Sequence, residues 1–209
     1  LKEYNSKLDW WQLDYAFCAK WLNWMTVVKG YKPSNIVRHF MRLKGLLKIA
    51  AMEEMPVNEA YAKWNVGSEK SSDLSIALTV EELAEMEGLK LVDSYDRTRD
   101  LFLIGVYTGM RFSDYSTIDY NAVVDGYLTV IQQKTKGKVV IPVGHKLSKI
   151  FNKYGGVPEV ITNQKFNKGI KKVAGLCDLL KKGELLSYTK AGKHVEETKQ
   201  RADLVSSHT

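Results

Sequence analysis

The first third of the chain alternates apolar and polar residues with the period of an α-helix. Large apolar residues recur three or four positions apart at Trp10, Leu13, Phe17, Trp21, Trp24 and Val28. This spacing predicts one amphipathic helix, which ends at Gly30. A second helix is predicted after Pro33, with Ser34 as its N-cap, and it runs to about Met52. Its apolar face comprises Ile36, Phe40, Leu43, Leu47 and Ala50.

The other faces of the second helix carry basic residues. These are Arg38, Arg42, Lys44 and Lys48. Arg38 and Arg42 are one turn apart and therefore project together. The pattern fits either a stripe that faces a nucleic-acid backbone or a solvated helix face.

The longest uncharged stretch of interest runs from Leu101 to Met110. It is too short to cross a bilayer, which takes about 20 residues, and it predicts a buried helix that ends near Gly109. Arg111 follows directly, and Asp114 comes three residues later. A guanidinium presents a planar fork that matches phosphate, so Arg111 is a candidate phosphate clamp steadied by Asp114. The alternative is that the two residues only form an ion pair at a helix boundary.

Signals for further elements follow in order along the chain. Thr79 and Glu82 form a capping-box pattern that starts a short helix. Residues 126–133 and 138–142 predict a β-hairpin, with Lys134 in its turn and Gly137 supplying the turn geometry. Thr162 is the predicted cap of a later helix, residues 183–199 are expected to be irregular or β-like, and Ser206 and Ser207 are potential helix caps.

Composition narrows the class of protein. The 209 residues carry a net charge of +7, and residues 163–209 contain ten Lys or Arg against five Asp or Glu. This balance favours an anionic partner. The two cysteines share no metal-type spacing and suggest a reducing compartment. We expect a cytoplasmic protein with no signal peptide, membrane span, metal or cofactor, and the start at Leu1 suggests an excised fragment.

Three motifs in a fixed order resemble the tyrosine recombinase, or phage integrase, family. They are YTGMRFSD at 107–114, a hairpin with QQKT at its turn and VVIP on its return strand, and SSHT at 206–209. The resemblance implies an α+β fold, mainly helical with a small sheet. It implies a helical, SAM-like core-binding domain at residues 1–70, a linker at 71–78 inside the polar cluster 67–78, and part of a catalytic domain at 79–209, incomplete at its C-terminus.

The same resemblance implies roles for individual residues. Arg111 is expected to grip the scissile phosphate, Asp114 to hold Arg111, and Lys134 to protonate the leaving 5′-oxygen. His208 is expected to act in acid–base chemistry or to contact the phosphate. Further DNA-binding candidates are Arg38, Arg42, Lys44, Lys48, Lys136, Lys138 and Lys165.

The family pattern also requires residues that this sequence lacks. These are an arginine three positions after the histidine, a second histidine or tryptophan, and the nucleophilic tyrosine, for which Tyr107, Tyr115 and Tyr120 come too early. We therefore expect a monomeric fragment that binds double-stranded DNA without cleaving it, from a parent that acts as a tetramer on DNA. The alternatives are a DNA-binding module without chemistry, or a helical protein-interaction domain.

Overall fold

The computed structural model of the chain describes residues 1–66, 76–190 and 193–209. The chain divides into two units, one formed by Leu1–Asp73 with Leu185–Glu197 and the other by Leu74–Glu184 with Thr198–Thr209. The predicted linker, residues 71–78, falls largely outside the described residues, so its position stays a prediction.

The N-terminal helices of the first unit enclose an aromatic core. Helix α1 spans Tyr15–Asn23 and continues as a π-helical turn, Trp24–Val28; helix α2 spans Pro33–Met52, and short 3₁₀ helices lie at Trp10–Gln12 and Glu59–Lys63. The rings of Phe17, Trp21, Phe40 and Trp64 pack with centroids 4.6 to 5.8 Å apart. Such contacts supply much of the stability of a small helical unit.

The predicted continuous helix from Trp10 to Val28 is wrong at both ends. The Asp14 side chain accepts a hydrogen bond from the N–H of Phe17 at 2.7 Å, which makes Asp14 an N-cap and starts the helix at Tyr15. The π-helical turn contains one more residue than an α-helical turn, which changes the residues that face the core. Met25 is buried there and Val28 is exposed, a change that a strict α-helical period does not predict.

Helix α2 agrees with its prediction except at its start. All five predicted apolar residues are buried. Pro33 occupies the first helical position after Lys32, and Ser34 lies inside the helix instead of capping it. Proline suits this position because its fixed φ is helical and its missing N–H would have no partner there.

Helices surround one long buried segment in the second unit. Helix α3, Val80–Gly88, begins with the predicted capping box between Thr79 and Glu82. Helix α4, Asp93–Thr108, has a buried stretch from Thr98 to Ile104 and packs against α6, His145–Tyr154, and α7, Asn163–Ala174. Gly109 ends α4 in the left-handed conformation, as predicted.

A three-stranded antiparallel sheet covers part of this core. Its strands are β1, Val123–Val124, β2, Tyr127–Ile131, and β3, Lys138–Pro142. Leu128 of β2 lies opposite Ile141 of β3, and both are buried. In the turn the positive φ belongs to Lys136, at 58°, and Gly137 does not adopt one, so the predicted role of Gly137 is wrong.

The last segment forms a second hairpin, most of which belongs to the first unit, and Arg201 after it contacts the start of the second unit. Strands β4, Gly183–Lys190, and β5, Lys193–Gln200, pair with each other and lead into a 3₁₀ helix, Arg201–Leu204. The Arg201 guanidinium donates to both carboxylate oxygens of Glu82, at 2.7 and 3.0 Å, and to Glu184 at 2.7 Å. This contact joins the end of the unit to the N-terminus of α3.

The predicted α+β class, mainly helical with small sheets, is confirmed. Within the described ranges, no helix combines the length and apolarity needed to span a bilayer.

Candidate active site

Arg111 lies at the point where the buried helix α4 gives way to a short helix. Helix α5 spans Phe112–Tyr115, and Arg111 is its N-cap residue, so its carbonyl accepts the N–H groups of Asp114 and Tyr115 at 2.8 and 3.0 Å. The backbone of Arg111 is thereby fixed, while its side chain is exposed. The result is an exposed cation on a rigid backbone support.

Asp114 makes a different contact from the one predicted. No ion pair links its carboxylate to Arg111 in the part of the chain that the structure describes, although the carboxylate is almost completely buried. Its Oδ1 instead accepts the backbone N–H of Gln133 at 2.9 Å. Because its carboxylate accepts this N–H of the hairpin turn, Asp114 braces the segment that precedes Lys134 and forms no ion pair with Arg111 in the described residues.

The turn that carries Lys134 is fastened to α5 by the side chain of Gln133 as well. Its amide donates to the carbonyl of Ser113 at 2.9 Å and to the hydroxyl of Thr117 at 3.3 Å. Lys134 is the next residue, and it is exposed. Two sets of hydrogen bonds thus tie the hairpin turn to the helix that begins after Arg111.

His208 lies in a turn near the end of the described chain. The N–H of Ser206 donates to the Thr209 hydroxyl at 2.8 Å, and the N–H of His208 donates to the Ser206 hydroxyl at 3.2 Å. Ser206 thus stabilises a turn, and no helix follows it in the described residues. The imidazole is exposed.

Arg111 and His208 line the same cavity, of about 360 Å³. Gly109 and Met110 lie beside Arg111, and Ser207 and Thr209 lie beside His208. The remaining lining residues come from α4 and α5: Phe102, Gly105, Val106 and Tyr115. Two candidate residues that are far apart in the sequence are therefore brought together around one open space.

Gly105 and Tyr115, which both line this cavity, pack closely against each other. A Cβ atom at position 105 would lie 2.6 Å from Cε1 of the Tyr115 ring, a distance that carbon atoms do not tolerate. Burial raises the pKa of the Tyr115 hydroxyl well above its ordinary value. Tyr115 is therefore a neutral, structural ring.

The remaining basic candidates differ in what their side chains contact. Arg38, Arg42 and Lys48 of α2 are exposed, as are Lys136 and Lys138 on the hairpin and Lys165 on α7. Lys44 is an exception, because its ammonium donates to the carbonyls of Ala62 and Trp64 at 3.1 and 3.2 Å. This lysine caps the end of the 3₁₀ helix Glu59–Lys63 and is less available to an external phosphate.

Sequence reasoning missed the residues that hold the site together. In the sequence Gln133 is only part of the QQKT motif, and nothing there indicates Asn167 of α7, whose Oδ1 accepts the Ser207 N–H at 2.8 Å. Both act through side-chain contacts to a distant backbone. No periodicity or spacing signals such contacts.

No clustered set of His, Cys, Asp or Glu side chains suited to a metal ion occurs among the described residues.

Comparison of the sequence with known proteins gives a partial match to a prophage integrase. No protein-family model matches the chain. Over 77 residues the chain is 32% identical to the prophage integrase IntE of Escherichia coli (strain K12), a match that covers 35% of this chain and 20% of that protein.

Solved structures extend the likeness to most of the fold. A lambda integrase tetramer bound to a Holliday junction matches 79% of this chain and 53% of that one, with a TM-score of 0.63 and 18% identity. A lambda integrase (75–356) dimer bound to a COC′ core site matches 78% and 62%, with a TM-score of 0.63 and 20% identity. At these identities the likeness shows a shared fold.

The resemblance to the tyrosine recombinase, or phage integrase, family is confirmed by the sequence match and by the fold together. The chain spans a fifth of the curated relative and roughly half to three-fifths of the solved integrase chains that it matches.

Proposed function

We propose that the chain belongs to a tyrosine-type site-specific DNA recombinase and supplies the groups that activate a DNA phosphate. The observation that carries this proposal is the shared cavity of Arg111 and His208. It is supported by the order of the motifs and by the likeness to integrases.

The proposed chemistry is attack of a tyrosine hydroxyl on phosphorus, which gives a 3′-phosphotyrosine and releases a 5′-oxygen. Negative charge builds on the non-bridging oxygens as the fifth bond to phosphorus forms. Arg111 donates to those oxygens with fixed positive charge, which is most effective in a site with little water. His208, which lines the same cavity, donates to the same phosphate or exchanges its proton.

Lys134 is the proposed general acid for the leaving oxygen. It follows Gln133, whose backbone and side chain are tied to Asp114, Ser113 and Thr117. Those bonds limit how far the turn can move from the segment that carries Arg111. The exposed ammonium of Lys134 then reaches an oxygen of a phosphate held by Arg111.

The nucleophilic tyrosine is the part of this chemistry that the cavity does not supply. Tyr115 is the tyrosine that lines it, and its ring is packed against Gly105. Tyr107 donates to Glu87 and Tyr120 to Asn152, and neither lines the cavity. We therefore propose that residues 1–209 alone bind DNA as a monomer and form no covalent adduct.

Double-stranded DNA is the proposed partner of both units. Arg38, Arg42 and Lys48 on α2, and Lys136, Lys138 and Lys165 in the second unit, are the proposed phosphate contacts. Contacts of this kind position a protein without reading sequence. The complete recombinase is proposed to assemble as a tetramer on its DNA site, in the cytoplasm.

Binding to a mixed-sequence duplex, followed by fluorescence anisotropy, tests the DNA-binding part. We expect affinity to fall steeply with salt, because each neutralised phosphate releases counterions. Arg111→Ala is expected to weaken binding by about tenfold and to lower the salt slope by about one. Arg97→Ala is the matched control, since Arg97 lies on α4 away from the cavity and pairs with Glu159. Equal effects of the two variants, or salt-independent affinity, would contradict the proposal.

Covalent chemistry is tested with protein expressed from the full open reading frame, on a duplex from the boundary of its genetic element. We expect a protein–DNA adduct that survives denaturation, and a decrease of 100-fold or more in its rate of formation for Arg111→Ala. DNA binding without any adduct would favour the second candidate function, a module that occupies sites without cutting them. That candidate is motivated by the lack of a reactive tyrosine along the described cavity.

A further inference from the structure

The turn that carries His208 is held by few contacts. Its internal hydrogen bonds join Ser206, His208 and Thr209 to one another. In the described residues, the one hydrogen bond from the turn to another element runs from the N–H of Ser207 to Oδ1 of Asn167 on α7, at 2.8 Å. The Ser207 hydroxyl is buried and has no partner there.

Asn167 is itself oriented by α7. Its Nδ2 donates to Oδ1 of Asn163, one turn earlier, at 2.9 Å. A backbone N–H can only donate, so the atom of Asn167 that faces Ser207 must be the oxygen. The amide is thereby fixed at both ends. Phe166, the neighbouring residue on α7, is fully buried, which anchors this part of the helix.

The position of the turn decides the shape of the cavity. Ser207, His208 and Thr209 line it together with Met110 and Arg111. Val205, fully buried just before the turn, fixes one end. Without the bond to Asn167, rotation of the turn about that end carries the imidazole toward or away from Arg111.

We propose that Asn167 is a positioning residue, which holds the Ser207–His208 backbone so that the imidazole and the Arg111 guanidinium engage one phosphate together. This inference rests on the proposed function. It assigns Asn167 no contact with DNA and no proton transfer. A displacement of about 1 Å in such a site is enough to lower a rate by 100-fold.

Inorganic phosphate is the probe for a test that needs no cleavage. In NMR titrations of the 209-residue chain, we expect the Arg111 Nε–H and the His208 imidazole resonances to shift together. In Asn167→Leu the arginine response is expected to remain, while the histidine response requires at least fivefold more phosphate. The Ser207 amide is expected to exchange with solvent about tenfold faster, because its hydrogen bond is gone.

Two further variants separate positioning from folding. Asn167→Asp keeps an oxygen acceptor for Ser207 and is expected to restore the joint response. Asn163→Ala removes the second hydrogen bond of Asn167 and is expected to have an intermediate effect.

Hydrogen exchange of the Ile170 amide, in the core of α7, reports whether each variant is folded. The inference would be overturned if the histidine response were lost together with Ile170 protection and were not restored in Asn167→Asp.

The outcomes also distinguish this inference from the proposed function. If neither Arg111 nor His208 responds to phosphate in the wild-type chain, the proposed phosphate site is wrong. If both respond in wild type and equally in Asn167→Leu, the site stands and the role of Asn167 is wrong. In the full open reading frame, Asn167→Leu is expected to slow adduct formation 10- to 100-fold with unchanged DNA affinity, and an unchanged rate would also overturn the inference.

Discussion

A single buried carboxylate connects two of the candidate residues. Asp114 accepts the N–H of Gln133, the residue before Lys134, and Asp114 itself lies three residues after Arg111. Its second oxygen is buried without a partner in the described residues. A buried acceptor without a hydrogen bond costs free energy. The hydrogen bond that the other oxygen accepts from Gln133 offsets part of this cost.

Removing that acceptor is expected to release the hairpin turn. In Asp114→Ala the amide of Gln133 loses its partner, and we expect its hydrogen exchange to accelerate by about tenfold, equivalent to about 1.4 kcal/mol. Asp114→Asn keeps an oxygen for the same N–H and is the matched control. Exchange measured by NMR that is equally slow in both variants would show that Asp114 does not hold the turn.

At this scale the sequence indicated which residues to examine but not how they make contact. The spacing of Arg111 and Asp114 predicted an ion pair, whereas Asp114 bonds to a backbone group of the hairpin. The spacing of basic residues predicts Lys44 on a basic stripe, whereas its ammonium caps a 3₁₀ helix. Both contacts join segments that are distant in sequence, so no local pattern encodes them.

Helix α4 illustrates how one element serves both the core and the cavity. Its residues from Leu101 to Ile104 are buried, and Gly105 follows them on the wall of the cavity. Glycine in a helix interior is destabilising relative to alanine by about 0.5–1 kcal/mol. Here it leaves room for the Tyr115 ring, whose Cε1 lies 2.6 Å from where a Cβ atom would be.

Opposite effects are therefore expected for two glycine-to-alanine changes. Gly45→Ala in α2, where nothing lies within 4 Å of the added methyl group, should stabilise by about 0.5–1 kcal/mol. Gly105→Ala should destabilise by about 1–3 kcal/mol, because the Tyr115 ring must move. Urea denaturation of both variants measures these changes, and stabilisation by Gly105→Ala would contradict the packing described.

Element prediction succeeded where local signals and burial agreed. The apolar face of α2, the capping box at Thr79 and the Gly109 stop are confirmed. The stretch from Trp10 to Val28 failed, because the Asp14 cap and a π-helical turn changed its phase. The β4–β5 hairpin was only partly anticipated, since its strands are rich in polar residues.

Within the second unit, Arg201 joins the segment around α3 to the segment at the start of β4. Its guanidinium donates to Glu82, Glu184 and the carbonyl of Ala77. The hydrogen bonds from Arg201 are the largest cause of a lowered pKa for Glu82. A carboxylate with a lowered pKa stabilises the fold above its ordinary pKa and loses that contribution as the pH falls through the folded-state value.

Acid stability is the measurement that tests this link. We expect Glu82→Gln to lower the free energy of unfolding at neutral pH by roughly 1–3 kcal/mol. The difference from wild type is expected to shrink as the pH falls from the ordinary glutamate pKa, about 4.3, through the lowered folded-state pKa of Glu82. Glu159→Gln removes an exposed ion pair with Arg97 and should change little. A difference that stays constant down to pH 3 would contradict the assignment.

The cavity shared by Arg111 and His208 has a consequence for biosynthesis. A ribosome synthesises Arg111 before His208, and the residues between them take on the order of 5–20 s at usual rates of elongation. During that interval the nascent polypeptide carries Arg111 without His208. Phosphate recognition through both residues thus arises only after His208 has been synthesised and its turn has docked on α7.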